Sequence, residues 1–170
     1  MNPTEAEYLN QLLSVQQELL NKDFDLDQFM NLVVNKMLEL TPSTGAVIEL
    51  ADADDMVYRA ATGSIQEYIG LRLPRKGSIT GLCVEQRAIL CSKDTEEDKR
   101  VNLEACRKVN ARSMIVAPLF HRGNAIGVLK VISDKPNAFA EKDLKILQLM
   151  AGFLGSALAN QIYQEMKGFL

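Results

Sequence analysis

The chain has 170 residues, 47% of them hydrophobic and 24% charged, with 19 basic against 22 acidic side chains and a formal charge of -3. This length and composition describe one domain that buries roughly 70% of its unfolded surface. Its pI near 5.3 lies far below the value above about 9 that marks a domain wrapping a phosphate backbone, so no nucleic-acid partner is expected.

Along the chain, Tyr8, Leu9, Leu12, Leu13, Val15, Leu19 and Leu20 recur at helical spacing between Thr4 and Leu20, which predicts a first helix. Asp25 precedes Phe29, Leu32, Val33, Val34, Met37, Leu38 and Leu40, and caps a second helix that runs to about Thr41, before Pro42. The runs Ala46 to Leu50 and Met56 to Ala61, joined by Ala51-Asp52-Ala53-Asp54-Asp55, predict a β-hairpin. Ser78 caps a short helix through Leu82, Cys83 and Val84, and Ala88 to Cys91 reads as a brief strand. The segment from Ser92 to Asn110 begins as a charged loop and ends in a helix carrying Val101, Leu103, Ala105, Cys106 and Val109. Ser113 to Phe120 and Ala125 to Ser133 are apolar, β-branched runs joined through Arg122-Gly123-Asn124, the strongest hairpin of the chain.

From Glu141 to Phe169 the chain is again helical. One stripe holds Leu144, Leu147, Met150, Leu154, Leu158, Ile162 and Met166, and a second holds Ile146, Leu149, Phe153 and Ala157. One face then lies on the sheet and the other stays free for a second helix. Helices bracketing a run of strands define an α+β layer.

Several chemistries are poorly supplied. Cys83, Cys91 and Cys106 are odd in number and widely spaced, which indicates neither a disulfide framework nor a zinc site. The only histidine, His121, lies in the second hairpin's turn, where an exposed side chain is the ordinary outcome. No phosphate-binding glycine motif is present. No apolar run approaches the ~18 residues of a membrane helix, and the acidic start from Met1 to Glu7 is unlike a signal peptide. The expectation is a cytoplasmic protein without a membrane partner, metal or cofactor.

The residues Lys76-Gly77-Ser78-Ile79-Thr80-Gly81-Leu82-Cys83, then Asp94, Asp98-Lys99-Arg100-Val101, Ala105-Cys106-Arg107, Ala111-Arg112-Ser113-Met114, Ala117-Pro118-Leu119, Gly127-Val128-Leu129-Lys130-Val131, and Phe139 with Asp143, resemble a GAF domain over about Phe29 to Ala159. The variant is similar to GAF modules that precede diguanylate cyclase, cyclic-di-GMP phosphodiesterase and histidine kinase domains in bacteria. One departure is Ala140, where the family often has a Ser or Thr cap; its loss weakens a helix by about 1 kcal/mol. The resemblance implies an antiparallel sheet of about six strands, with the terminal helices on one face. On the other, the Ser78 helix and the Ser92 to Asn110 segment roof a small-molecule pocket.

Candidate pocket residues are Thr62, Ser78, Asp94, Cys106, Arg112, Met114 and Lys130. Arg75-Lys76-Gly77-Ser78 offers an anion site at a helix N-terminus, or simply a capped helix beside two solvated cations. Arg112 reaches either an internal acid such as Asp94 or Glu104, or a ligand carboxylate. Lys130 shares a face with Val128 and Ile132: on the pocket side it serves an acidic ligand, and on an outer side it is solvated. Cys106 is either a thiol activated by Arg107 or a small packing residue.

The resemblance also bears on other branches of the family. Free methionine-sulfoxide reductases place a Glu and an Asp where this chain has Met114 and Lys130, so the acid groups look missing. Bilin attachment usually needs a Cys followed by His, but Arg107 follows Cys106. Of the cyclic-nucleotide signature only Phe139 with Asp143 is present, at the wrong distance.

The expected organisation is an N-terminal dimerisation helix over 1–24, the GAF domain over 25–160 and the end of a signalling helix over 161–170. Tyr8, Leu12 and Leu19 with Leu154, Leu158 and Ile162 would form the dimeric bundle. The expected function is a non-enzymatic sensor that binds an unidentified small ligand and signals to an output domain, with a thiol-redox protein as the alternative. The apolar end at Phe169-Leu170 points to a chain or partner that continues.

Overall fold

Each helix start is set by a local side chain. Thr4 and Glu7 exchange side-chain to backbone hydrogen bonds as a capping box at the head of α1 (Glu5–Leu19). The Asp25 carboxylate accepts from the Gln28 N–H and starts α2 (Leu26–Leu40). In the computed structural model that defines the fold, residues 4–21 and 23–167 are described, with side chains through 161. Six strands follow: β1 (Gly45–Asp52), β2 (Asp55–Gly63), β3 (Arg72–Pro74), β4 (Leu90–Ser92), β5 (Ser113–His121) and β6 (Asn124–Ser133). Between them lie α3 (Ile79–Gln86) and α4 (Leu103–Lys108), and α5 (Glu141–Lys167) closes the chain.

All strand pairs are antiparallel, in the order β3-β2-β1-β6-β5-β4. The architecture is the expected α+β layer. The β5–β6 hairpin pairs His121 with Asn124, so its turn is the two residues Arg122 and Gly123, both at positive φ (49° and 78°). That geometry matches the twist of the strands, and Gly123 takes it without strain. His121 is therefore the last residue of β5 and not a solvated turn residue. It is half-buried, with Nδ1 shielded from solvent. The brief fourth strand also begins later than the expected Ala88, because Arg87 ends α3 in the left-handed region and the chain must turn before pairing.

Alternation sends β residues to two different cores. On one face Ile48, Ile115, Leu129 and Val131 meet Val33 and Met37 of α2, Val15 of α1, and Leu147, Met150 and Leu154 of α5. On the other, Val47, Val116, Val128 and Ile132 meet Ile79 and Cys83 of α3 and Cys106 of α4. A bulge in β2 resets this alternation, since Ile48 pairs with Ala60 while Glu49 pairs with Tyr58, leaving Arg59 extra. Tyr58 consequently faces the second core, whereas Ala60 faces the helices.

The head of α5 does not lack a cap altogether. Asp143, buried at the third helical position, accepts from the Ala140 N–H at 2.7 Å, which is half of a capping box. Among the described residues no helix is long and apolar enough to cross a membrane.

Candidate functional site

The face opposite the terminal helices carries a cavity between the sheet and a roof made by α3 and α4. Its floor is Glu49 of β1, Met56 and Tyr58 of β2, Met114 of β5, and Lys130 and Ile132 of β6. Ser78, Ile79 and Thr80 close it from α3, and Asn102, Ala105, Cys106 and Val109 from the α4 segment. The space left among these side chains is about 30 Å³, room for one or two waters.

The polar end of the cavity is an ion pair. Lys130 Nζ lies 2.9 Å from Glu49 Oε2 and donates to the Tyr58 hydroxyl at 3.4 Å. The Thr80 hydroxyl donates to the same Glu49 oxygen at 3.4 Å. Glu49 is 1% exposed and Lys130 6%, so both charges are held without bulk water and each depends on the other. Burial opposes the charge of Lys130. The Glu49 carboxylate, with Tyr58 and the hydrogen bonds to both, outweighs it and holds the ammonium protonated above the usual lysine range. Burial pushes the Tyr58 hydroxyl up, against the opposing pull of Lys130.

Four of the predicted pocket residues are brought together here: Ser78, Cys106, Met114 and Lys130. The alternation left open for Lys130 is resolved, since Val128 and Ile132 belong to the roofed core. Its charge is not free to serve an acidic ligand alone, because Glu49 already matches it. Ser78 acts as a cap, with its hydroxyl accepting from the Gly81 N–H at 3.0 Å and donating to the Arg75 carbonyl at 3.1 Å. That carbonyl lies where a Gly81 Cβ would stand, 1.9 Å away, so chain rather than an open anion cradle covers this helix start.

Three predicted residues lie elsewhere. Thr62 follows the β2 bulge and so faces the helices, donating to Asn35 Oδ1 of α2 at 2.7 Å. Arg112 and Asp94 pair with each other at 3.1 Å outside the cavity, and Asp94 also accepts from the Glu96 N–H. They belong to a set of ion pairs that pins the roof segment, with Arg107 on Glu96 at 2.8 Å and Arg100 on Asp98 at 2.8 Å. Arg107 thus points to Glu96 and does not activate its neighbour. Burial pushes the Cys106 thiol up, and Lys130 only partly offsets this. Cys83, donating to the Ala88 carbonyl at 3.1 Å, is pushed up by burial to about 12.

The residues expected to form a dimeric bundle have these places within the chain. Leu154 and Leu158 are buried in their own chain's core, and Tyr8, Leu12 and Leu19 pack against that core partly buried. The Tyr8 hydroxyl donates to the Leu40 carbonyl at 3.4 Å. Ile146 and Ala157 of the second α5 stripe are buried too, while Leu149 of that stripe, Leu9 and Leu13 of α1, and Leu20 just after α1 are exposed. The side chains of Ile162 and Met166 lie outside the described residues, as do Phe169 and Leu170 altogether.

Glu49, Tyr58 and Thr80 were not among the sequence candidates. The signal for Glu49 was a lone carboxylate two residues from Val47 within the apolar run Ala46 to Leu50. A charge on the buried side of such a strand needs a partner, and Lys130 interrupts its own strand in the same way. The cavity therefore does hold an acid group, contributed by a strand other than the two considered for the reductases.

A two-faced antiparallel platform, helices beneath and a roofed cavity above, defines an α+β domain of a recognisable class. The GAF domain family matches residues 25–159, and the chain belongs to that family. GAF domain-containing protein A of Dictyostelium discoideum is 43% identical over 74 residues, a match covering 43% of this chain and 45% of that protein; less than half of that relative's length is spanned. The GAF domain of a phosphoenolpyruvate-protein phosphotransferase from Coxiella burnetii superposes with a TM-score of 0.82 at 21% identity, over 99% of this chain and 100% of that one. A free methionine-R-sulfoxide reductase from Neisseria meningitidis, solved with its substrate, gives 0.78 at 20% identity, over 95% and 97%. At such identities these structures are alike in fold.

Proposed function

We propose that this chain is a non-enzymatic regulatory GAF domain of a cytoplasmic signalling protein, binding a small molecule in the roofed cavity without a nucleic-acid or membrane partner. One observation carries the reading: a mutually neutralised Glu49–Lys130 pair stands inside a cavity with otherwise mostly apolar walls. Buried charge of this kind is costly to keep and weak as a source of stability, which favours a role in recognition. The ligand state passes through α5, packed on β5 and α2, to an output domain such as a diguanylate cyclase or histidine kinase. The exposed Leu9, Leu13 and Leu149 support a homodimer through the terminal helices, a different leucine set from the one expected. Native mass spectrometry of the purified chain tests the ligand; a chain that carries nothing and is stabilised by no small metabolite removes the reading. Light scattering tests the dimer, and a monomer at high concentration removes that part.

A second reading, a thiol-redox protein related to the free methionine-R-sulfoxide reductases, is favoured by Cys106 in the cavity wall and by the likeness to the Neisseria enzyme. Its test is reduction of free methionine sulfoxide by the chain with a thiol reductant, abolished by Cys106→Ser. Burial, which raises the Cys106 thiol, weighs against this second reading.

A further inference from the structure

Among the described residues that line the cavity only Glu49 and Lys130 are charged, and they cancel. Tyr58, Thr80, Ser78 and Asn102 add neutral polar groups, while Met56, Leu73, Ile79, Val109, Met114 and Ile132 supply apolar surface. We infer that the cavity selects small molecules of no net charge that carry one polar end and an apolar body, and rejects both anions and cations. This rests on the small-ligand reading above and sharpens it by naming the class.

The physical reason is charge balance away from bulk water. An anion bound at Lys130 either displaces Glu49, which leaves that carboxylate buried and unmatched, or adds a second negative charge beside it. A cation at Glu49 strands Lys130 in the same way. Either outcome leaves one uncompensated charge away from water, which weakens binding by roughly 100-fold or more. A molecule without net charge avoids the penalty. A zwitterion sets its carboxylate on Lys130 and its ammonium on Glu49, so that four charges alternate. An amide hydrogen-bonds to the pair and leaves it intact. The free space of about 30 Å³ is smaller than such a body, so binding requires the buried Met56 and Met114, unbranched side chains, to change rotamer and make room.

The test is binding to the full chain of four compounds with one branched apolar body: leucine (zwitterion), isocaproamide (neutral), isocaproate (anion) and isoamylamine (cation). They are read by thermal shift and calorimetry at pH 7 beside a screen of small metabolites sorted by net charge. The expected result is that leucine, isocaproamide or other uncharged compounds stabilise the protein, with the ions bound at least ~100-fold more weakly. Glu49→Gln, which leaves Lys130 unmatched, should then admit isocaproate. The exchange variant E49K/K130E, neutral again, should restore rejection and serves where the single variant does not fold. Anions or cations binding the parent protein as tightly as uncharged compounds overturn the inference while leaving the ligand-binding reading in place. No compound of any charge binding overturns both.

Discussion

The helix-covered face of the sheet and its roofed face are made from alternate residues of the same strands, yet they solve burial differently. Beneath, Ile48, Ile115, Leu129 and Val131 pack in one apolar cluster with side chains of α2 and α5, and the specific polar partnership there is the neutral Thr62–Asn35 hydrogen bond. Above, Val47 and Val128 sit beside Glu49 and Lys130, each useful only with the other. One face is stabilised by volume and the other is constrained by charge. On the proposed ligand-binding reading, the upper face adds discrimination to the cohesion that both apolar cores supply.

The strongest way to break the contrast is to remove one charge. Lys130→Met leaves Glu49 unpaired in the interior and should destabilise the chain by about 3–5 kcal/mol in urea unfolding, whereas Glu49→Leu with Lys130→Met should stay near the parent value or exceed it. If the double variant is as damaged as the single, the pair is structural cement after all. On the lower face, Leu147→Ala removes a fully buried side chain and should cost about 3 kcal/mol, with no comparable rescue by a second apolar change nearby.

The roof itself gives a pH test. The Arg100 guanidinium beside Asp98, partly opposed by burial, holds that carboxyl down to about 2 from 3.8. Because the folded state has the lower value, the pair contributes fully above about pH 4. Its contribution declines as pH falls through the range down to about 2 and is lost below it. Asp98→Asn should flatten this acid loss by about 1 kcal/mol in unfolding midpoints followed from pH 5 to pH 2, the figure being reduced because Arg100 is partly solvated. The smallest effect is expected at α5. Ala140→Ser adds the missing half of the capping box to the bond that Asp143 already makes and should gain about 0.5–1 kcal/mol in thermal unfolding.

Most of the fold was legible because it is written in short-range pattern. The helix starts at Thr4, Asp25 and Ser78, the two long hairpins and the helical stripes of α5 all follow from spacing and capping residues that lie within a few positions of each other. The site was legible in part. Ser78, Cys106, Met114 and Lys130 meet in the cavity, but Thr62 was carried to the other face by one extra residue at Arg59, and alternation read along a strand does not reveal a bulge. The bundle expected of Tyr8, Leu12, Leu19, Leu154, Leu158 and Ile162 was legible only as apolar stripes. A stripe on α1 or α5 shows which residues seek cover, and the chain's own core took Leu154 and Leu158 before any partner was needed.

The sequence by itself determined the order of the helices and the long strands, the helix caps at Asp25 and Ser78, and the family, since these depend on neighbours along the chain. Only the tertiary structure decided that Glu49 and Lys130 would meet and that Arg112 would be spent on Asp94. It also turned Arg107 away from Cys106. Those outcomes depend on strand register and on which face each side chain occupies, and a charge finds its partner through space, where separation along the chain carries no information.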